Sequence, residues 1–310
     1  MVKDLLYYLI FPGFIFIALA GGLLAGLDRK LSAWLQFRKG PPLIQPFYDF
    51  LKLLLVKETI LPARGSIITF LAAPVFAITG AALSGIMILL PAFHYSSGFS
   101  GDIIVIFYLL AIPSFTYILG ALAAGNPLAS IGASREMKLI ISYELTFLLT
   151  LAAIILKAGM TIKLDDIIQV QVTQGPFIGS ISGVLLFIAL IFCIQAKLGL
   201  VPFDMAEAET EINHGAFIEY SGSAYALIKL AKYMMMFILP VFACIMLLGG
   251  LRFDGIYILW SVLKVLGVLL LITLIRNTNP RVRIDQAMRF FFIWMNLLVI
   301  IAIVLIIFGY

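Results

Sequence analysis

Charge is scarce in this sequence. Of its 310 residues only 12% are charged, while 63% are hydrophobic and the mean hydropathy is +1.13. Soluble domains carry about 25% charged residues, so too few polar groups exist here to clothe a water-soluble surface. Disorder needs low hydrophobicity and high charge and is excluded as well. Cysteine is nearly absent: Cys193 and Cys244 stand alone in apolar runs, with no CxxC pair. Two thiolates cannot hold an iron–sulfur cluster, which usually takes four. Histidine is limited to His94 and His214. Any redox chemistry linked to this chain must therefore use carriers in other subunits.

Long apolar runs are abundant. A spanning helix needs about 20 apolar residues, and runs of that kind occur at 5–27, 67–90, 103–124, 139–156, 177–196, 233–251, 255–275 and 290–308. Lipid cannot satisfy peptide groups, so helices or closed barrels are required, and runs without strict alternation exclude barrel strands. The expected fold class is an all-α polytopic membrane protein. It has about eight transmembrane helices and a short amphipathic interfacial helix in the first cytoplasmic loop, forming one domain over 1–310. The first run is too long, and too weakly flanked by Lys3 and Asp4, to be a cleavable signal. No repeat relates the two halves, unlike many secondary transporters.

Lys and Arg set an orientation. Sixteen of the 21 bases fall in the loops after the first, third, fifth and seventh runs, and four on the other side; Lys264 lies within a run. The positive-inside rule then puts both termini outside and the large loops in the cytoplasm, in the cell membrane. The net charge of +5 reflects this topology, and no nucleic-acid partner is expected.

Three features on the basic side carry chemistry. The first loop reads Arg38-Lys39-Gly40-Pro41-Pro42-Leu43-Ile44-Gln45-Pro46-Phe47-Tyr48-Asp49-Phe50-Leu51-Lys52 and continues to Lys57-Glu58. Gly-Pro-Pro makes a turn, and Pro46 starts a helix too polar to span. A plain anchor helix is the simple alternative. The second is the segment from Val201 to Gly222. Residues 198–228 hold five acids and no base. As a helix this segment would put Asp204, Glu207, Glu211 and His214 on one face, with Glu209 pointing away. Like charges so close raise one another's pKa values, which suits proton exchange near neutral pH; a solvated acidic loop is the alternative. Glu211-x-x-His214 has the ExxH form, but di-iron bundles need two such motifs and further Glu. The third is Glu144, within the fourth run. Intramembrane acids usually mark ion paths, unless the side chain snorkels or pairs with Arg135 or Lys138. Lys264 is either the counter-charge of an acid or a tolerated lysine.

The first-loop motif and the run Val201-Pro202-Phe203-Asp204-x-x-Glu207-Ala208-Glu209-x-Glu211, followed by Gly215-x-x-x-Glu219-Tyr220-Ser221-Gly222, together resemble the quinone-chamber membrane subunit family of respiratory complex I over essentially the whole chain. Gly132-Ala133-Ser134-Arg135-Glu136-Met137, Ala206 and Lys229 look like the branch of group 4 membrane-bound [NiFe] hydrogenases and formate hydrogenlyases. Ile212-Asn213-His214-Gly215-Ala216 departs from that branch, and membrane-bound sulfane-sulfur reductases use closely similar subunits.

The resemblance implies a membrane anchor without cofactors of its own. Hydrogenase-like large and small subunits would sit above it with iron–sulfur clusters and a NiFe centre, fed by ferredoxin and evolving H2. Antiporter-like membrane subunits would lie beside it. It implies a proton or ion path through Glu144, Asp204, Glu207, Glu209, Glu211 and Glu219. It assigns Arg38, Gly40, Pro41, Gln45, Pro46, Asp49, Lys52, Lys57, Glu58, Arg135, Glu136 and Lys229 to the cavity and the docking surface. The same subunit in a sulfane-sulfur reductase or a quinone-reducing complex I is the alternative.

Overall fold

A computed structural model describes residues 2–93, 95, 98–252 and 255–309, without the side chains of 2–5, 209 and 210. Its regular structure is helical. The helices are α1 (Val2–Leu9), α2 (Phe14–Leu35), α3 (Gln45–Leu55), α4 (Ile67–Ala92), α5 (Asp102–Ala123), α6 (Pro127–Lys157), α7 (Leu164–Gln174), α8 (Ile181–Lys197), α9 (Glu209–Ile212), α10 (Gly222–Leu247), α11 (Tyr257–Thr278), α12 (Ile284–Arg289) and α13 (Asn296–Ile307). Among the described residues seven helical segments are long and apolar enough to cross a membrane, and α8 adds a shorter apolar helix. The expected all-α polytopic architecture is therefore present. α10 is the central post, packed on α2, α3 and α4, while α6 holds together α5, α8 and α13. α11 and α13 keep broad apolar faces exposed, as lipid-facing helices do.

Local chemistry explains the starts. Ser66 and Ser180 accept hydrogen bonds from the third residue of α4 and α8, and Asn126 caps α6 with Pro127 at the first position. Two helices overrun the apolar runs. α2 continues to Leu35 because Asp28 finds a partner inside the bundle: Arg276 lies 2.5 Å from its carboxylate and Thr273 donates to it at 2.9 Å. α6 begins at Pro127, so Arg135, Glu136 and Lys138 ride on the helix rather than in a loop. The last span changes pitch at 290–295, a single π-turn between α12 and α13. Thr146 of α6 donates there to the Phe291 carbonyl and to Asn296 Oδ1, at 3.3 and 2.7 Å, satisfying backbone that the wide turn frees.

The acidic segment departs from expectation. It is not one helix: residues 201–208 form turns, α9 has four residues, and Asn213 and His214 adopt left-handed backbone with φ of 45° and 67°. Phe203, Met205 and Ala208 are buried, and the Ala216 N–H returns to the Ala206 carbonyl at 3.1 Å. Burying three apolar side chains from one short stretch folds it back on itself, so helical spacing no longer sets which carboxylates meet. The fold-back rests on Gly132 of α6, where a Cβ would meet the backbone of Gly215 and Ala216. Gly132→Val is expected to lift the segment, costing about 1–3 kcal/mol as overpacking does. Faster backbone hydrogen exchange over 203–220, with the exchange of α4 and α5 unchanged, would show it.

Candidate functional site

Four acids on the basic side each face a cation brought by another part of the chain. Lys197, the last residue of α8, has a fully buried side chain, and its Nζ lies 2.6 Å from Glu144 Oε1. Its ammonium also sits 4.8 and 5.5 Å from the ring centroids of Phe147 and Tyr143, a cation–π setting that offsets part of the lost hydration. The pairing of Glu144 is thus with Lys197, not with Arg135 or Lys138. Lys232 of α10 pairs with Glu207, its ammonium 4.2 Å from the centre of the Phe217 ring. Arg281 donates to Asp204 at 2.7 Å, and Arg135 to Glu211 at 2.6 Å. Glu219 accepts from the Asn126 amide at 2.6 Å. Glu209 falls among the side chains outside the described residues.

The pairs of Glu144, Glu207 and Asp204 reach one cavity of about 30 Å³ between α5, α6, α8, α10 and the acidic segment. That volume holds a water or two. Glu136, Lys197, Asp204, Glu207 and Lys232 line it, with Tyr117. Glu136 is 7% exposed and within electrostatic reach of Lys232 and Asp204; it is an interior acid. The Tyr117 hydroxyl, Glu144 Oε2 and Asp204 Oδ1 are buried without a protein hydrogen-bond partner, as groups served by internal water are. Glu144–Lys197 and Glu207–Lys232 therefore end at a shared chamber holding two further acids. Lys232 thus has Asp204 and Glu136 within electrostatic reach besides its partner Glu207.

Burial pushes the Asp204 carboxyl above its ordinary value, although Arg281 and Lys232 pull it back. An acid with a raised folded pKa binds more protons folded than unfolded, so its contribution to stability falls as pH rises from the usual Asp value of about 4 through the raised one. Asp204→Asn is expected to flatten that slope, which unfolding curves across acidic pH in detergent would measure. Arg281→Gln should move the Asp204 titration still higher, visible in its carboxyl stretch by infrared difference spectroscopy.

A second cluster joins the first loop to the bundle. Asp49 accepts from Arg29 at 2.8 Å and from Gln45 at 2.9 Å, and Arg29 also donates to Tyr233 at 3.2 Å. Burial pushes the Asp49 carboxyl up, but the Arg29 and Gln45 bonds and the charges of Arg29 and Lys229 outweigh it and leave it below the ordinary range. Pro46 is buried, Gly40 and Pro41 are half-buried, and Arg38, Lys52, Lys57 and Glu58 project outward. The end of this loop is stitched to the acidic motif: Ser221 Oγ accepts from the Ile60 N–H at 2.8 Å, and Thr59 and Ser223 share a bond of 2.7 Å. Gly222, at φ +53°, lets the Glu58 carbonyl approach where a Cβ would stand. The two long motifs thus adjoin although over 160 residues separate their contacts.

Lys197, Lys232, Arg281 and Tyr117 were visible in the sequence only as base counts or apolar filler. A lysine at the last turn of α8 and another just before the apolar part of α10 were the available signals. Lys264 faces the other end, where its Nζ donates to the Leu248 and Gly250 carbonyls at 2.6 and 3.2 Å rather than to an acid. Among the described residues no group of three or more His, Cys, Asp and Glu side chains is placed to hold a metal ion. Glu211 turns to Arg135 instead of completing the ExxH pair.

Comparison with known proteins agrees with this fold. The family described as NADH dehydrogenase matches residues 8–307. The NADH-quinone oxidoreductase subunit designated H from Thermomicrobium roseum is 33% identical over 304 residues, covering 89% of this chain and 88% of the relative. Its counterpart in Brevibacillus brevis is 34% identical over 279 residues, covering 85% and 80%. Among solved structures, a chain of the membrane-bound sulfane sulfur reductase, an archaeal respiratory membrane complex, superposes with a TM-score of 0.87 at 26% identity. It covers 98% of this chain and 99% of its own.

Proposed function

Since this chain belongs to the NADH dehydrogenase family, among the homologues of that membrane subunit of NADH-quinone oxidoreductase, we propose that it is the ion-coupling membrane subunit of a complex I-like redox assembly. It carries no redox centre; hydrogenase-like large and small subunits with iron–sulfur clusters sit on its basic face in the cytoplasm, and antiporter-like subunits lie beside it. The observation that carries this reading is a chain of ionisable groups: the buried Glu144–Lys197 pair, the chamber with Glu136 and Asp204, and the half-buried Lys232–Glu207 pair. A passive anchor needs no acids inside, because intramembrane charge is costly.

In this reading, negative charge arriving in the peripheral arm favours protonation of Asp204 and Glu136. Lys232 and Lys197 change partners in response, and the shift reaches Glu144, deeper in the membrane. A pKa change of one unit is worth about 1.4 kcal/mol, so small rearrangements gate the transfer. The coupling ion is H+ or Na+. The exposed bases of the first loop, Arg38, Lys52 and Lys57, together with Glu58, serve the docking surface.

The redox partner is a ferredoxin-fed, H2-evolving [NiFe] hydrogenase arm, a reading supported by Gly132–Met137 in the form that resembles that branch. The superposition with the sulfane sulfur reductase chain favours a second reading, a sulfur-reducing arm. Nickel decides between them. The complex purified through this chain in mild detergent is expected to hold near-stoichiometric nickel and to evolve H2 from a reduced viologen. Iron and acid-labile sulfide without nickel would transfer the assignment to the sulfur- or quinone-reducing relatives.

A further inference from the structure

The end of the bundle away from the relay holds a second polar site, which the coupling function leaves unused. A pocket of about 410 Å³ opens between α7, the turn after α10 and the start of α11, with Arg252, Lys264, Tyr257, Trp260 and Gln171 in its wall. Ser261 fixes Arg252 by its backbone: its hydroxyl accepts from the Arg252 N–H at 2.9 Å and donates to the Arg252 carbonyl at 2.8 Å. The guanidinium carbon lies 5.7 Å from the centre of the Tyr257 ring. Lys264, two turns further along α11, snorkels up to the same rim, where two carbonyls take two of its three N–H groups.

Two cations are therefore held within electrostatic reach of each other. Among the described residues no carboxylate lines the pocket. Like charges repel, and they do so more strongly beside a low-dielectric apolar wall than in water. An anion received between them removes that repulsion and takes the free donors of both. This is also the end where the chain keeps few bases, so the pair is not part of a generally basic surface.

The surroundings specify the anion. Tyr257 and Trp260 are 51% and 59% exposed, turned outward as aromatic side chains at a membrane–water interface are. On the other side of Ser261 a groove of about 420 Å³ runs between α2, α4, α10 and α11. Apart from Ser261 its walls are apolar, Phe16, Leu24, Val241, Val262 and Leu266 among them. A cationic pocket at the interface next to a deeper hydrocarbon groove matches one ligand chemistry, a phosphate diester carrying acyl chains. We propose that Arg252 and Lys264 form a headgroup site for an anionic phospholipid whose acyl chain lies in the groove beside α11.

The test uses the assembled complex in nanodiscs of phosphatidylcholine doped with phosphatidylglycerol bearing a photoreactive acyl chain. The expected label falls on the groove peptides of α2, α4, α10 and α11. It should drop about tenfold in Arg252→Gln, a surface substitution that removes one of the two cations. Photoreactive phosphatidylcholine at the same dose should label the groove far less in the unaltered complex, a comparison that needs no variant. Excess inorganic phosphate should leave labelling intact. Equal labelling by the two lipids, unchanged labelling of Arg252→Gln, label confined to other helices, or displacement by inorganic phosphate would each overturn the proposal, the last by making the site one for a free anion.

Discussion

Lys197→Met is expected to destabilise the chain by about 3–5 kcal/mol, the cost of leaving one partner of a buried ion pair behind. The Lys197 side chain is fully buried and that of Glu144 is 14% exposed. Removing the ammonium strands a carboxylate whose Oε2 is already buried without a protein partner, with no other cation paired to it among the described residues. The double variant Lys197→Met with Glu144→Gln should regain most of the loss, because two neutral groups need no compensation; contacting residues couple in such a cycle. Unfolding of the detergent-solubilised chain measures all three. Additive losses in the double variant would show that the pair does not act as a unit.

Glu136→Gln is expected to cut the ions moved per electron by about tenfold or more, equivalent to at least about 1.4 kcal/mol of lost coupling, while the redox arm keeps its turnover. The amide retains the size and hydrogen-bonding capacity of the acid but cannot carry a proton. Glu136 lines the chamber together with Lys197 and Lys232. Proteoliposomes with a pH-sensitive dye, assayed beside reductant consumption, separate the two quantities. Wild-type ion transport in Glu136→Gln would remove this residue from the relay; a loss of both quantities together would mean that it holds the arm in place instead.

The sequence was an accurate guide wherever the bilayer is the solvent. Apolar runs and the amphipathic pattern from Pro46 are one-dimensional signals, and the corresponding helices stand in the structure. It was a poor guide to helix ends that carry charge. Asp28 and Arg29 look like a loop after α2, yet both lie on it, because Arg276 and Asp49 supply partners from 248 and 20 residues away. The same holds for Arg135 and Glu136 on α6.

Pairing was the least legible feature. The acids of the 201–222 segment look like one helical face repelling itself. Instead Phe203, Met205 and Ala208 pull the segment into a fold-back, and each described acid there acquires a separate partner: Asp204 takes Arg281, Glu207 takes Lys232, Glu211 takes Arg135 and Glu219 takes Asn126. No spacing rule connects residues 77 positions apart, as Asp204 and Arg281 are.

Membrane residence as a helical bundle is written in the sequence alone, because hydrophobicity and backbone hydrogen bonding act locally and sum along the chain. Which acid faces which base was decided only in the tertiary structure. A buried charge is tolerable solely where another element delivers its counter-charge, and delivery depends on how helices distant in sequence pack against one another.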